Sequence, residues 1–98
     1  MKQKARLPVK SGYSVFMPTV FQGTMLACYE NDYPVVFPSE LEAQREIADN
    51  QLTRIQQFLD GERDFDDAIV TDEFVLPVKV WPDKSITTEH GRIYGKQA

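Results

Sequence analysis

Asp60, Glu62, Asp64 and Asp66 occupy alternate positions, the spacing at which the first oxygen ligands of a calcium loop would stand. The test is positional. With Asp60 at position 1, position 6 needs glycine for a sharp turn but holds Phe65, and position 12 needs a bidentate glutamate but holds Thr71. The loop fails at both points, so these acids are expected to cap a following helical turn and solvate a connection. His90 is the only histidine, set between Glu89 and Gly91, and no G-x-S-x-G element or other nucleophile signature accompanies it. Cys28 is the only cysteine, and its sequence neighbours supply no positive charge to hold a thiolate. A single cysteine excludes an internal disulfide and a cysteine zinc cluster. The five glycines form no phosphate loop. The expectation is a protein with no catalytic residues, no cofactor and no metal.

The residues that bear on function must then lie on a surface, and Ser39 to Gly61 supplies one. Ser39 is placed to cap a helix, with Glu42 three residues on to complete a capping box. Glu40 and Glu42 put negative charge at the positive end of the helix dipole. Leu41, Ile47, Ala48, Leu52, Ile55, Phe58 and Leu59 recur at helical spacing in a stripe roughly 140° wide, suited to packing on a sheet. Gly61 stands where a left-handed terminating residue is wanted. On the opposite side Glu42, Glu46, Asp49 and Asp60 fall within about 60°, with Thr53 and Gln56 filling the gap. That ridge is either a solvated face or a docking surface for a protein partner with a basic surface.

Charge is segregated. The net is −4, yet residues 40–73 carry eleven acids against Arg45, Arg54 and Arg63, while residues 1–11 carry Lys2, Lys4, Arg6 and Lys10 with no acid. Such a field repels nucleic acid from the helix side and attracts cationic protein surfaces. No run approaches the roughly 18 apolar residues of a membrane span, and no signal-peptide pattern follows the basic start, so the reading is cytoplasmic.

Ninety-eight residues suffice for one domain, read as a basic tail over 1–11 and an α+β domain over 12–98. Strands are expected over Tyr13–Met17 (stopped by Pro18), Thr24–Glu30 and Tyr33–Phe37, with Asn31-Asp32 as a turn. After the helix, Asp64 is expected to cap a short turn anchored inward by Phe65, Ala68 and Ile69. Phe74 to Trp81 alternates cleanly, placing Phe74, Leu76, Val78 and Val80 on one face and Val75, Pro77, Lys79 and Trp81 on the other. Pro82 to Ser85 turns the chain, and His90-Gly91 bends it before Ile93-Tyr94. The order β-β-β-α-β-β implies an antiparallel sheet with one long amphipathic helix packed across one face. One helix scarcely covers all the aromatics. Val75, Pro77 and Trp81 are therefore candidates for a homodimer interface.

Residues 34–69, PVVFPSELEAQREIADNQLTRIQQFLDGERDFDDAI, resemble small bacterial proteins carried on mobile elements, such as integron cassettes and phage-like islands. The resemblance implies a bacterial cytosolic accessory protein and carries no functional residues across. Two functions follow as expectations. One is a non-enzymatic protein that binds another protein through the acidic face of helix 40–60. The alternative is a small-molecule-binding module or minor enzyme with a pocket between helix and sheet.

Overall fold

The computed structural model describes residues 7–70 and 72–97. Its elements run β1 (Lys10–Thr19), β2 (Gly23–Leu26), β3 (Tyr29–Glu30), β4 (Tyr33–Pro34), α1 (Glu40–Leu59), α2 (Phe65–Ile69), β5 (Phe74–Val80), β6 (Ile86–Thr88) and β7 (Ile93–Tyr94). The fold is α+β, as the hydrophobic periods require. Five strands form one antiparallel sheet in the order β2-β1-β5-β6-β7, and β3 and β4 pair separately. Lys2, Lys4 and Arg6 of the basic tail lie outside the described residues, whereas Lys10 and Ser11 belong to β1, opposite Val80 and Lys79.

β1 organises the sheet because it has two partners in succession. Lys10 to Phe16 pairs with β5, and Phe16 to Thr19 pairs with β2. The sheet then curls until its edges meet. On β7 the Tyr94 hydroxyl donates to the Thr24 carbonyl of β2 at 2.8 Å, and Arg92 Nη2 donates to the Gln22 carbonyl at 3.2 Å. Inside the curl lie Phe16, Leu26, Val78, Val80, Ile86 and Tyr94, all buried, with Phe74 and Leu76 packed against them. The alternation expected for β5 is thus the alternation that builds the core.

The β3–β4 hairpin closes the concave side. Asn31 and Asp32 both take positive φ, 53° and 71°, the requirement of a type I′ turn. Ser14 Oγ donates to the Val35 carbonyl at 2.7 Å where the hairpin leaves β1. At its tip Gln97 N–H donates to the Asp32 carbonyl, and the Lys84 and Lys96 ammonium groups stand 5.0 and 5.9 Å from the Tyr33 ring. On the convex side Val15 is also fully buried, and α1 runs there against β1 and β5.

Three expected strands differ from those observed. β1 does not stop at Pro18 but continues to Thr19. Tyr13 exchanges both backbone hydrogen bonds with Phe37, so odd-numbered residues of β1 bond away from β5 and even-numbered ones towards it. Pro18 is even-numbered, and β5 pairs no further than Phe16, so its missing donor is not needed. The same parity explains Pro77 within β5: it faces Tyr13, and its nitrogen points to the side where β6 has already ended. The expected strand Thr24–Glu30 breaks at Ala27-Cys28 because the chain leaves the sheet there to cross the core. Tyr33–Phe37 shortens to Tyr33–Pro34, with Phe37 returning alone to bridge Tyr13.

The helix begins and ends at the expected residues, with the Ser39 half of the expected capping box present and no bond from the Glu42 carboxylate back to the Ser39 amide. Ser39 Oγ accepts the Glu42 N–H at 3.2 Å. At the other end Gly61 has φ 81°, Glu62 N–H donates to the Gln57 carbonyl and Gly61 N–H to that of Phe58, a Schellman pair. The expected packing stripe, however, splits. Ala43 is fully buried and Ile47 and Ile55 partly so, but Leu41, Ala48, Leu52 and Leu59 are exposed. Length is one reason: twenty residues span about 30 Å, and the seven of β5 only about 23 Å. Over its second half α1 meets α2, largely through polar groups. Gln51 Nε2 donates to the Ala68 carbonyl at 2.5 Å, Arg54 reaches the Val70 carbonyl and Glu73, and Arg63 Nε donates to Gln57 at 2.7 Å. Phe58 meets Phe65 edge-on at 5.4 Å. In α2 only Ala68 is buried, Phe65 and Ile69 being about half exposed, and Asp64 stands at the N-cap position without the expected side-chain cap, its carbonyl accepting the first helical bond from Ala68 N–H.

Candidate functional site

With its inner side spent on the sheet and α2, α1 presents a long outer side of mixed character. Leu41, Leu52 and Leu59 are 56%, 65% and 68% exposed, values that leave most of each side chain in water on a helix already anchored elsewhere. Glu42, Asp49 and Asp60 are exposed beside them. Asp60 accepts from Gln56 Nε2 at 3.0 Å, and Thr53 Oγ1 donates to the Asp49 carbonyl, so the polar edge is ordered along the helix axis. Glu46 stands apart from the other three acids. It is half-buried and close enough to Cys28 to act on it. Burial first, then the carboxylates of Glu46 and Glu73, push the Cys28 thiol up to about 11. It is a neutral thiol at physiological pH, and the environment opposes a nucleophilic thiolate.

Val75, Pro77 and Trp81 come to the convex side of the sheet. Pro77 and Trp81 line an open groove of about 800 Å³ with Ser11, Tyr13, Lys79 and Thr87; Val75 is half-buried farther along β5. The Trp81 indole N–H donates to Thr87 Oγ1 at 2.9 Å, which holds the ring at the groove wall. Pro38, leading into α1, closes one side, but no residue of α1 itself lines the groove. It therefore differs from the expected pocket between helix and sheet. Tyr13 and Ser11 were not among the expected site residues, although the alternation of β1 puts them on the same side as Pro77 and Lys79 once the register is known.

The acidic connection behaves as a surface. Arg63 pairs with Asp67 at 2.6 Å. Among the described residues no three His, Cys, Asp or Glu side chains are grouped to hold a metal ion. His90 is exposed in the turn before Gly91, whose φ of 82° the turn requires. Among the described residues no helix is long and apolar enough to cross a membrane. Comparison with protein-family models, curated proteins and solved structures finds no match to this chain.

Proposed function

We propose that this chain is a small non-enzymatic accessory protein that binds another protein through the outer side of α1. The observation that supports the reading is the row Leu41, Leu52 and Leu59, left in water and bordered by Glu42, Asp49 and Asp60. Apolar side chains supply the burial that makes a contact stable, and a border of one charge sign selects the partner. The net charge of −8 over residues 40–73 favours a cationic protein surface and disfavours nucleic acid. A bacterial cytoplasmic setting, on a mobile element, fits the resemblance of residues 34–69.

The test is affinity capture from bacterial lysate at low and high salt, comparing the natural chain with the Glu42/Asp49/Asp60→Lys variant. Asp49→Lys and Asp60→Lys are exposed changes that shift stability by about 0.5 kcal/mol or less each, and Glu42→Lys costs about 1 kcal/mol by reversing charge at the helix N-terminus, so the fold is preserved and circular dichroism will verify it. The expected outcome is a partner retained by the natural chain, released by salt and lost by the variant. Identical recoveries from both would remove the acidic border from the reading.

The convex groove favours a second reading, a small-ligand site. Trp81 and Tyr13 offer aromatic surface, Lys79 a cation and Ser11 and Thr87 hydroxyls, which suits a flat anionic molecule. Trp81 is the only tryptophan, so its emission reports directly on the groove. A planar aromatic carboxylate should change that emission saturably, and Lys79→Ala should weaken its binding about tenfold. An emission unchanged up to millimolar ligand would dismiss the site. The homodimer expected through Val75, Pro77 and Trp81 would occupy the same groove, and light scattering on the titrated samples separates the two.

A further inference from the structure

We infer that the outer side of α1 is half of a two-helix coiled coil whose other half is a basic amphipathic helix on a different protein. The inference rests on the protein-binding reading above and names its partner class.

The argument begins with spacing. Leu41, Arg45, Ala48, Leu52, Ile55 and Leu59 follow one another at intervals of four, three, four, three and four residues. That alternation is the seam of a left-handed coiled coil. At 100° per residue the six side chains fall within about 80° on the helix, a narrow seam rather than the broad face a helix buries on a sheet. Burial agrees with the division. Ala43 is fully buried and Ile47 and Arg54 partly so on the inner side, whereas Leu41, Arg45, Ala48, Leu52 and Leu59 are exposed and Ile55 is half-buried. Apart from Ile55, which is shared between them, the sheet-packing row and the seam are therefore separate sets of residues on one helix. The seam covers nearly three heptads, about 27 Å.

Charge decides the occupant. One flank of the seam carries Glu42, Asp49 and Gln56, and the other Gln44, Gln51 and Phe58. α2 lies along the second flank, where Phe65 meets Phe58 and Gln51 bonds Ala68, so the acidic flank is the open one. In an antiparallel pair of identical helices like flanks face each other, setting acid against acid. In a parallel pair the acids face Gln44 and Gln51, with no opposite charge to meet. A second copy gains no attraction in either arrangement. A helix with lysine or arginine beside its own apolar seam satisfies both the leucines and the acids. Arg45, the one charged residue in the seam, costs affinity and fixes register, as a polar residue at a single seam position does.

The test uses two synthetic three-heptad helices with leucine at their seam positions, one with lysine and the other with glutamate at the flanks. Binding to the full chain is followed by fluorescence anisotropy. The lysine helix should bind at least about tenfold tighter than the glutamate helix at low salt, with the difference shrinking as salt is raised. Leu52→Ala should weaken lysine-helix binding about 10- to 100-fold, the consequence of losing one buried leucine. Leu59→Gln provides a second seam variant should the first alter the fold. Equal affinities for the two helices, or no binding of either, would overturn the inference. So would a natural chain that elutes as a dimer and becomes monomeric on Leu52→Ala, since the occupant would then be a second copy. If a captured partner depends on Glu42, Asp49 and Asp60 but not on Leu52, the coiled coil fails and protein binding stands. If capture ignores those acids and Leu52 alike, the broader reading falls as well.

Discussion

Phe16→Ala lowers stability by about 3–5 kcal/mol, a large part of the total of roughly 5–15 that a small domain possesses. Phe16 is fully buried at the residue where β1 passes from β5 to β2, opposite both Phe74 and Leu26. Its ring centroid lies 5.1 Å from that of Tyr94 and 6.3 Å from that of Phe74. Removing it leaves a cavity beside Phe74 and Tyr94, whose positions are fixed by strand pairing and by the Tyr94–Thr24 hydrogen bond, so the space closes only in part. For a domain of this size the melting temperature should fall by more than about 12 °C. A fall below about 5 °C would mean that the curl closes over the space and that Phe16 is not central to it.

Gly12→Ala is the second large effect, and it acts by crowding. A Cβ at Gly12 would stand 2.5 Å from Val36 Cγ1 and 2.8 Å from the Phe37 carbonyl oxygen. The first contact can relax by rotation of a side chain. The second is backbone, held by the paired hydrogen bonds of Tyr13 and Phe37 at 2.9 and 2.7 Å. Overpacking of this kind costs about 1–3 kcal/mol. Urea denaturation of Gly12→Ala, Val36→Ala and the double variant separates the terms. The double variant should regain only part of the loss, because the carbonyl remains. Full recovery would show that the side chain alone forbids a larger residue. Since Phe37 stands two residues before Ser39, the same substitution should also loosen the start of α1.

Features set by neighbouring residues were legible beforehand. Ser39 and Gly61 delimit α1 because capping is a matter of three or four adjacent residues, and the alternation of Phe74 to Val80 marks the core face because β geometry has a period of two. What depended on distant partners was not. Pro18 reads as a break unless one knows that β5 ends opposite Phe16, and Tyr94 gives no local sign that it will meet Thr24. The outer side of α1 lay between these cases. Its apolar residues were all visible, but Ile47 sits on the same wide arc as Leu41 and Leu52, and only burial separates the inner row from the outer. The acids separated in the same way: Glu46 lies at the edge of their shared arc nearest Ala43, and only burial shows that the packed side reaches it.

The pairing of β1 with β5 also governs how the chain folds. Lys10 and Val80 are partners 70 positions apart, and the core closes over contacts of similar span between Thr24 and Tyr94. Loops of that length must be closed before the β1–β5 pairing returns its stabilisation, which places folding in the millisecond-to-second range rather than the microseconds of a helical bundle. During synthesis at about 5–20 residues per second, β1 waits several seconds for β5 to emerge. Until then β1 has only β2 to pair with and Phe16 stays uncovered, while Ser39 to Gly61, made before β5, carries its own start and stop signals. The boundaries of the helix are thus encoded in residues made before the last strands of the sheet that carries it.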